Sequence, residues 1–230
     1  MLERATARMA EARAALDDAV AALIARSCQL HPAGYVRLTW AALMAAAPEV
    51  AAQTLARVVT AVGGGSRPCD RERACRALAA LSDGKAVSTT LGRCRLLAQG
   101  ETVLVCRETR RLPIPIRIEA GTRLLWDGRF RIAVRYEDRA MTRDGATPGQ
   151  QSRLILRPVA ANDVRTLQES AGNRWAALPP AVRFTLPVLE DDAGLLAAPV
   201  VGWQRFETIQ SLVVEALWSP VSGLPEAGIS

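Results

Sequence analysis

The sequence predicts an α+β fold in two parts: an N-terminal helical domain with a β-hairpin, then a smaller, mixed and mostly antiparallel α+β domain. Three observations lead there. Apolar residues recur at helical spacing through the first third of the chain and at alternating spacing after Lys85. Two close prolines, Pro113 and Pro115, interrupt the alternating region and place the domains at 1–108 and 113–230. The 230 residues, 50% apolar and 23% charged, suffice for one large globular domain or two small ones.

Leu2, Met9, Leu16 and Leu23 repeat every seven residues, with Ala5, Ala12 and Ala19 at the second seam position. This spacing predicts an amphipathic helix of about six turns ending near Ser27. Its stripe needs a cover, supplied either by this chain or by a partner docked along Leu2–Leu23. His31-Pro32-Ala33-Gly34 breaks the helix, and Tyr35–Leu38 alternates as a short strand. Thr39 caps a short helix through Ala46, and Pro48 opens a longer one to about Val62. Gly63, Gly64, Gly65 and Ser66 follow that helix, where glycine is the expected C-terminal cap; a phosphate loop would leave a strand and enter a helix. Pro68 and Asp70 start another helix ending at Gly84, with Arg71, Arg73 and Arg76 on its outer face.

From Lys85 the period changes. Val87–Leu97 and Thr102–Arg107 read as a hairpin closed at Gln99-Gly100, and Arg93 and Arg95 fall on one face of its first strand. Residues 108–122 suit a linker or an extended edge segment. Leu124-Leu125-Trp126 leads into the turn signal Asp127-Gly128, then Arg129–Tyr136 alternates as a strand. A loop over 142–151 precedes a strand at Leu154–Leu156, and Asn162 or Asp163 caps a short helix to about Gly172. Pro179-Pro180 opens a further helical turn; Leu186–Leu189 and Leu195–Val201 bracket Asp191–Gly194 as a second hairpin. Trp203–Trp218 carries Phe206, Ile209, Leu212, Val213 and Leu217 at helical spacing, although Leu212-Val213-Val214 suits a strand equally.

The net charge of +6 is unevenly spread: 11 basic against 8 acidic residues over 1–86, 11 against 6 over 87–139, and 7 against 9 over 140–230. A basic middle suits a polyanion-binding surface. Of the 29 basic residues 28 are arginine, a skew that reflects a GC-rich genome, so no structural meaning is read into the preference for arginine. Five cysteines (Cys28, Cys69, Cys75, Cys94, Cys106) form neither a disulfide framework nor paired zinc spacings. The sole histidine, His31, sits beside Pro32 with no Gly-x-Ser-x-Gly elbow in the chain, so it reads as a loop residue rather than a catalytic base. No apolar run approaches the roughly 20 residues of a spanning helix, and no signal-peptide pattern appears at the start. The expected setting is cytoplasmic, without a membrane partner.

Three segments carry a family likeness: Thr89–Arg95 with Val105–Glu108, Trp126–Phe130, and Leu178–Leu189 continuing through Gly194–Pro199. In this order and spacing they resemble the C-terminal, non-catalytic half of bacterial tRNA(Ile)-lysidine synthetases, especially alphaproteobacterial ones. The resemblance implies a family that adenylates the wobble cytidine of a tRNA with ATP and Mg and replaces the AMP with lysine. Its catalytic domain carries Ser-Gly-Gly-x-Asp-Ser, which this chain lacks, so no catalytic residue, cofactor or metal site can be carried over. What the resemblance leaves is a tRNA-recognition portion, truncated or split, with tRNA-Ile as the expected partner and a separate catalytic ATPase chain or domain as a further one.

Gripping folded RNA rests mainly on arginine–phosphate contacts. The candidates are Arg67, Arg71, Arg73 and Arg76 on the helical part, then Arg93, Arg95, Arg107, Arg110, Arg111 and Arg129. Arg129 has a second reading, holding its own hairpin through Asp127, and Trp126 and Phe130 read as core. The alternative function is a non-enzymatic interaction module docking through the Leu2–Leu23 helix.

Overall fold

The computed structural model describes residues 2–82, 87–136, 153–205 and 212–224. It is α+β with antiparallel sheets, as the sequence predicts, and divides into two compact units: Met1–Arg107 with Pro220–Ser230, and Glu108–Ser219. The Gly84 end of one expected helix, the 142–151 loop, and Phe206 and Ile209 lie outside the described residues.

In the first unit, helix α1 (Leu2–Ser27) leads into strands β1 (Cys28–His31) and β2 (Tyr35–Thr39). Helices α2 (Trp40–Met44), α3 (Pro48–Gly63) and α4 (Arg71–Ser82) follow, then β3 (Ser88–Leu91), β4 (Cys94–Gln99) and β5 (Thr102–Arg107). The strands form one antiparallel sheet in the order β1-β2-β5-β4-β3. Val36, Leu38, Leu96, Val103 and Val105 of the sheet, Leu55, Val58, Val59 and Val62 of α3, and Val20, Leu23 and Ile24 of α1 are all buried.

Among the described side chains, the seven-residue seam of α1 is covered only toward its C-terminal end. Val20, Leu23 and Ile24 are fully buried, whereas Met9 is 74% exposed. Length explains the difference: 26 residues span about 39 Å and the 16 of its neighbour α3 only about 24 Å, so α1 overhangs. An Arg57–Asp17 ion pair ties the two helices.

The stretch expected as one strand from Val87 to Leu97 is two. Gly92 and Arg93, with φ of 54° and 66°, make a two-residue turn between the paired Leu91 and Cys94. A Cβ on Gly63 would overlap the Gly92 carbonyl oxygen, and one on Gly92 would meet Val59 at 2.6 Å. Two glycines facing each other therefore let the end of α3 lie directly on this turn. The glycine run caps α3 as expected: Gly64 has φ 68°, its N–H donates to the Ala61 carbonyl, and the Gly65 N–H donates to that of Thr60.

The second unit holds two sheets. One, ordered β12-β11-β10-β9-β6, comprises β6 (Ile116–Ile118), β9 (Leu154–Pro158), β10 (Pro187–Asp191), β11 (Gly194–Ala198) and β12 (Trp203–Gln204). β6 is its edge strand directly after Pro113 and Pro115, which agrees with the extended edge reading. Helices α5 (Asp163–Ala176) and α6 (Pro180–Arg183) connect β9 to β10, and α5 kinks at Gly172, near its expected end. The other sheet, β13-β8-β7, comprises β7 (Arg123–Trp126), β8 (Phe130–Tyr136) and β13 (Leu212–Trp218). Leu212–Trp218 is thus a strand, paired along its whole length with β8, and the helical spacing of Trp203–Trp218 does not hold over these residues.

Candidate nucleic-acid interface

Helix α4 starts where Asp70 accepts the Arg73 N–H on its side chain at 3.1 Å, and it buries Ala74, Ala77, Leu78 and Leu81. At about 100° per residue this leaves Arg73 and Arg76, three positions apart, on the solvent face. Arg71 is also exposed but projects well away from them, and it is engaged: its Nε lies 2.5 Å from Glu49 Oε2, while Gln53 donates to Glu49 Oε1 at 3.1 Å. Gln53 and Arg71 together hold the Glu49 carboxyl below its usual range, and Glu49 holds the Arg71 guanidinium above its own. Arg67 is exposed ahead of the helix.

The hairpin arginines separate. Arg95 is exposed on β4, but Arg93 lies in the Gly92-Arg93 turn, so the two do not share a strand face. Arg107 is only 1% exposed and donates to the Arg93 carbonyl at 3.3 Å. A guanidinium without surface cannot meet a phosphate, so Arg107 is a structural residue of the first unit. Arg110 and Arg111, exposed, follow in the second unit.

Arg129 is likewise removed from the interface. It is fully buried, its Nε 2.8 Å from Asp127 Oδ2, and it donates to the Thr185 carbonyl at 2.6 Å. Its guanidinium lies over the rings of Trp126 and Phe130, at 5.9 and 5.0 Å from their centroids. Asp127 and Gly128, with φ of 52° and 66°, form the turn that aims it inward. The hairpin-holding reading is the correct one, and Trp126 and Phe130 are core at 2% and 0% exposure.

Sequence reasoning missed the open face of the three-stranded sheet. Phe130, Ile132 and Val134 are buried, so alternation turns Arg131, Ala133 and Arg135 outward. Register sets Leu125 and Leu217 beside Arg131, and Arg123 and Glu215 beside Ala133. Arg123, Arg131, Arg135 and Glu215 are exposed, as are Leu125 at 43% and Leu217 at 66%. The signal was present in the alternation of Phe130–Arg135, but the neighbouring strand was masked by helical spacing.

Among the described residues no group of three or more His, Cys, Asp or Glu side chains could hold a metal ion, and no helix is long and apolar enough to cross a membrane. The glycine run does not fit a nucleotide phosphate, because its Gly64 and Gly65 amides are used to cap α3. Fold and surfaces together define an α+β chain of two units with arginines displayed on a helix and on an open sheet face.

The chain is similar to a tRNA(Ile)-lysidine synthase of Ruegeria pomeroyi (strain ATCC 700808 / DSM 15171 / DSS-3): 29% identical over 201 residues, 87% of this chain and 42% of the relative. This bears out the resemblance carried by the three motifs. The chain spans less than half the length of the curated relative it matches. No protein-family model matches it.

Proposed function

We propose that this chain is the tRNA-gripping, C-terminal portion of a tRNA(Ile)-lysidine synthase, acting in the cytoplasm on tRNA-Ile while the adenylation chemistry is supplied by a separate ATPase domain or chain. The observation that carries the reading is the likeness to a tRNA(Ile)-lysidine synthase along 87% of this chain but only 42% of the relative. Exposed Arg67, Arg73, Arg76 and Arg95 in the first unit, and Arg123 and Arg131 in the second, supply phosphate contacts, with Arg110, Arg111, Arg93 and Arg71 as further candidates. ATP and Mg, which the resemblance implies for the full-length family, belong to the catalytic part in this reading.

Filter binding of labelled tRNA across a salt series tests the proposal. Affinity falling steeply with salt, without ATP dependence, is the expected result, since each neutralised phosphate releases counterions. Salt-indifferent binding, or none, overturns it. The exposed start of α1 favours a second reading, an interaction module docking through the Leu2–Leu23 helix. That reading predicts concentration-dependent association that Met9→Glu abolishes and RNA leaves unchanged.

A further inference from the structure

On the open face of the β13-β8-β7 sheet, among the described residues, a single carboxylate stands among three guanidinium groups. Glu215 pairs in register with Ala133, and Arg123 pairs with Ala133 from the other side. Arg131 and Arg135 flank Ala133 along β8, opposite Leu217 and Val213, the residues on either side of Glu215 on that face of β13. The central side chain is only a methyl group, so the floor between the charges is low. Glu215 takes Arg135 at 2.7 Å, with the two side chains 57% and 59% exposed, whereas Arg123 and Arg131 make no ion pair among the described residues.

An ion pair this exposed adds little to folding, so its main consequence is electrostatic. It withdraws one arginine from any incoming polyanion and sets a negative charge beside that position. We propose that Glu215 is a specificity-determining residue of this face: it leaves Arg123 and Arg131 open to a backbone of fixed phosphate spacing and repels flexible polyanions that would otherwise gather on all three arginines. The inference rests on the RNA-binding reading above and adds the element that selects against wrong ligands. A folded RNA presents its phosphates at set distances, so it engages only arginines at a matching spacing and cannot rearrange to gather on every positive charge. A single strand adapts to whatever positive charge is there, and so loses most from a carboxylate in its path.

The test compares Glu215→Gln with the unaltered chain, using poly(U) and tRNA as probes over a salt series. Expected is about fivefold tighter poly(U) binding, with the salt slope steeper by about 0.7, the value for one more phosphate on a single strand. Affinity for tRNA should change less than about twofold, because its set phosphate spacing gains no further contact from the released Arg135. Unchanged poly(U) binding, or equal tightening for both probes, overturns the role of Glu215. The double variant Arg123→Ala/Arg131→Ala separates the two levels. If it leaves tRNA affinity intact, the RNA reading of this face fails together with the inference; if it weakens tRNA while Glu215→Gln changes nothing, only the inference fails. All three positions are exposed, and matched unfolding curves confirm that the variants fold.

Discussion

Arg129 and Arg131 lie two positions apart in sequence, and period-two alternation assigns them to the same face of a strand. The structure sends them to opposite ones: Arg129 is fully buried against Trp126, Phe130 and the Thr185 carbonyl, and Arg131 is exposed between Leu125 and Leu217. The turn is the cause. Residues 127–129 leave the ladder between the paired Trp126 and Phe130, so Arg129 no longer obeys the alternation that governs β8 from Phe130 onward. In a chain whose basic residues are nearly all arginine, composition and spacing are blind to this distinction. Backbone geometry decides which arginines hold the fold and which stay at the surface.

The largest effect follows from the buried member. Arg129→Ala leaves the Asp127 carboxylate, 1% exposed, without that ion pair, and breaking such a pair costs about 3–5 kcal/mol. Arg131→Ala removes no buried contact, and stability should stay within about 0.5 kcal/mol. Urea unfolding of the two variants makes the comparison directly; equal losses would erase it.

Arg157 extends the comparison to the other sheet of this unit. It is 8% exposed and bidentate to Asp163, with contacts of 2.6 and 2.9 Å, and its Nε lies 2.5 Å from Glu190. Asp163, foremost, holds the Arg157 guanidinium above its ordinary value. Asp163 also accepts the Ala160 N–H at 2.7 Å, which fixes the entry to α5. Asp163→Asn should destabilise by about 1.5–3 kcal/mol, the range for a lost hydrogen bond to a charged group. A loss confined to a few tenths would place Arg157 with the exposed class.

The exposed members should change binding instead. Arg123→Ala and Arg131→Ala are each expected to weaken tRNA binding about fivefold and to reduce the salt slope by about one phosphate contact, with unfolding unaltered. Arg73→Ala/Arg76→Ala tests the helical face of the first unit in the same assay. A variant that lowers affinity only by lowering stability would belong with Arg129.

Much of the architecture was legible because it rests on local chemistry. The α3 glycine cap, the Asp70 helix start, the Asp127-Gly128 turn and the Pro113/Pro115 edge each depend on backbone preferences of a few neighbouring residues. Three features were not legible, for three reasons. Gly92-Arg93 lacks the Asn-Gly or Asp-Gly signature, so its turn passed as strand. The Leu212–Trp218 strand has apolar residues on both faces, which mimics a helical stripe over a short window. The fates of Arg107 and Arg129 depend on partners distant in sequence or on the exit from a turn, which spacing does not encode.

The smallest effect concerns an arginine between the two extremes. Arg37, partly buried on β2, lies over the Tyr35 ring at 5.3 Å, and His31 stacks on the same ring at 4.4 Å between centroids. His31 Nδ1 accepts the Ala33 N–H at 3.0 Å, a bond that requires this nitrogen to be unprotonated. Burial, and secondarily the charge of Arg37, push the imidazole below its ordinary value of 6.5. A folded-state pKa lowered in this way means that the unfolded chain binds the proton more readily. The stabilisation is therefore complete above pH 6.5 and is lost as pH falls through the folded value. His31 is the only histidine, so a shallow decline in stability between neutral and mildly acid pH is assigned to it. His31→Asn supplies a non-titrating acceptor for the N–H two residues on and should flatten that decline. Arg37→Gln should raise the imidazole pKa read by NMR, because it removes the like charge. A pKa unmoved by Arg37→Gln would assign the depression to burial alone and leave Arg37 as a packing residue of the Tyr35 ring.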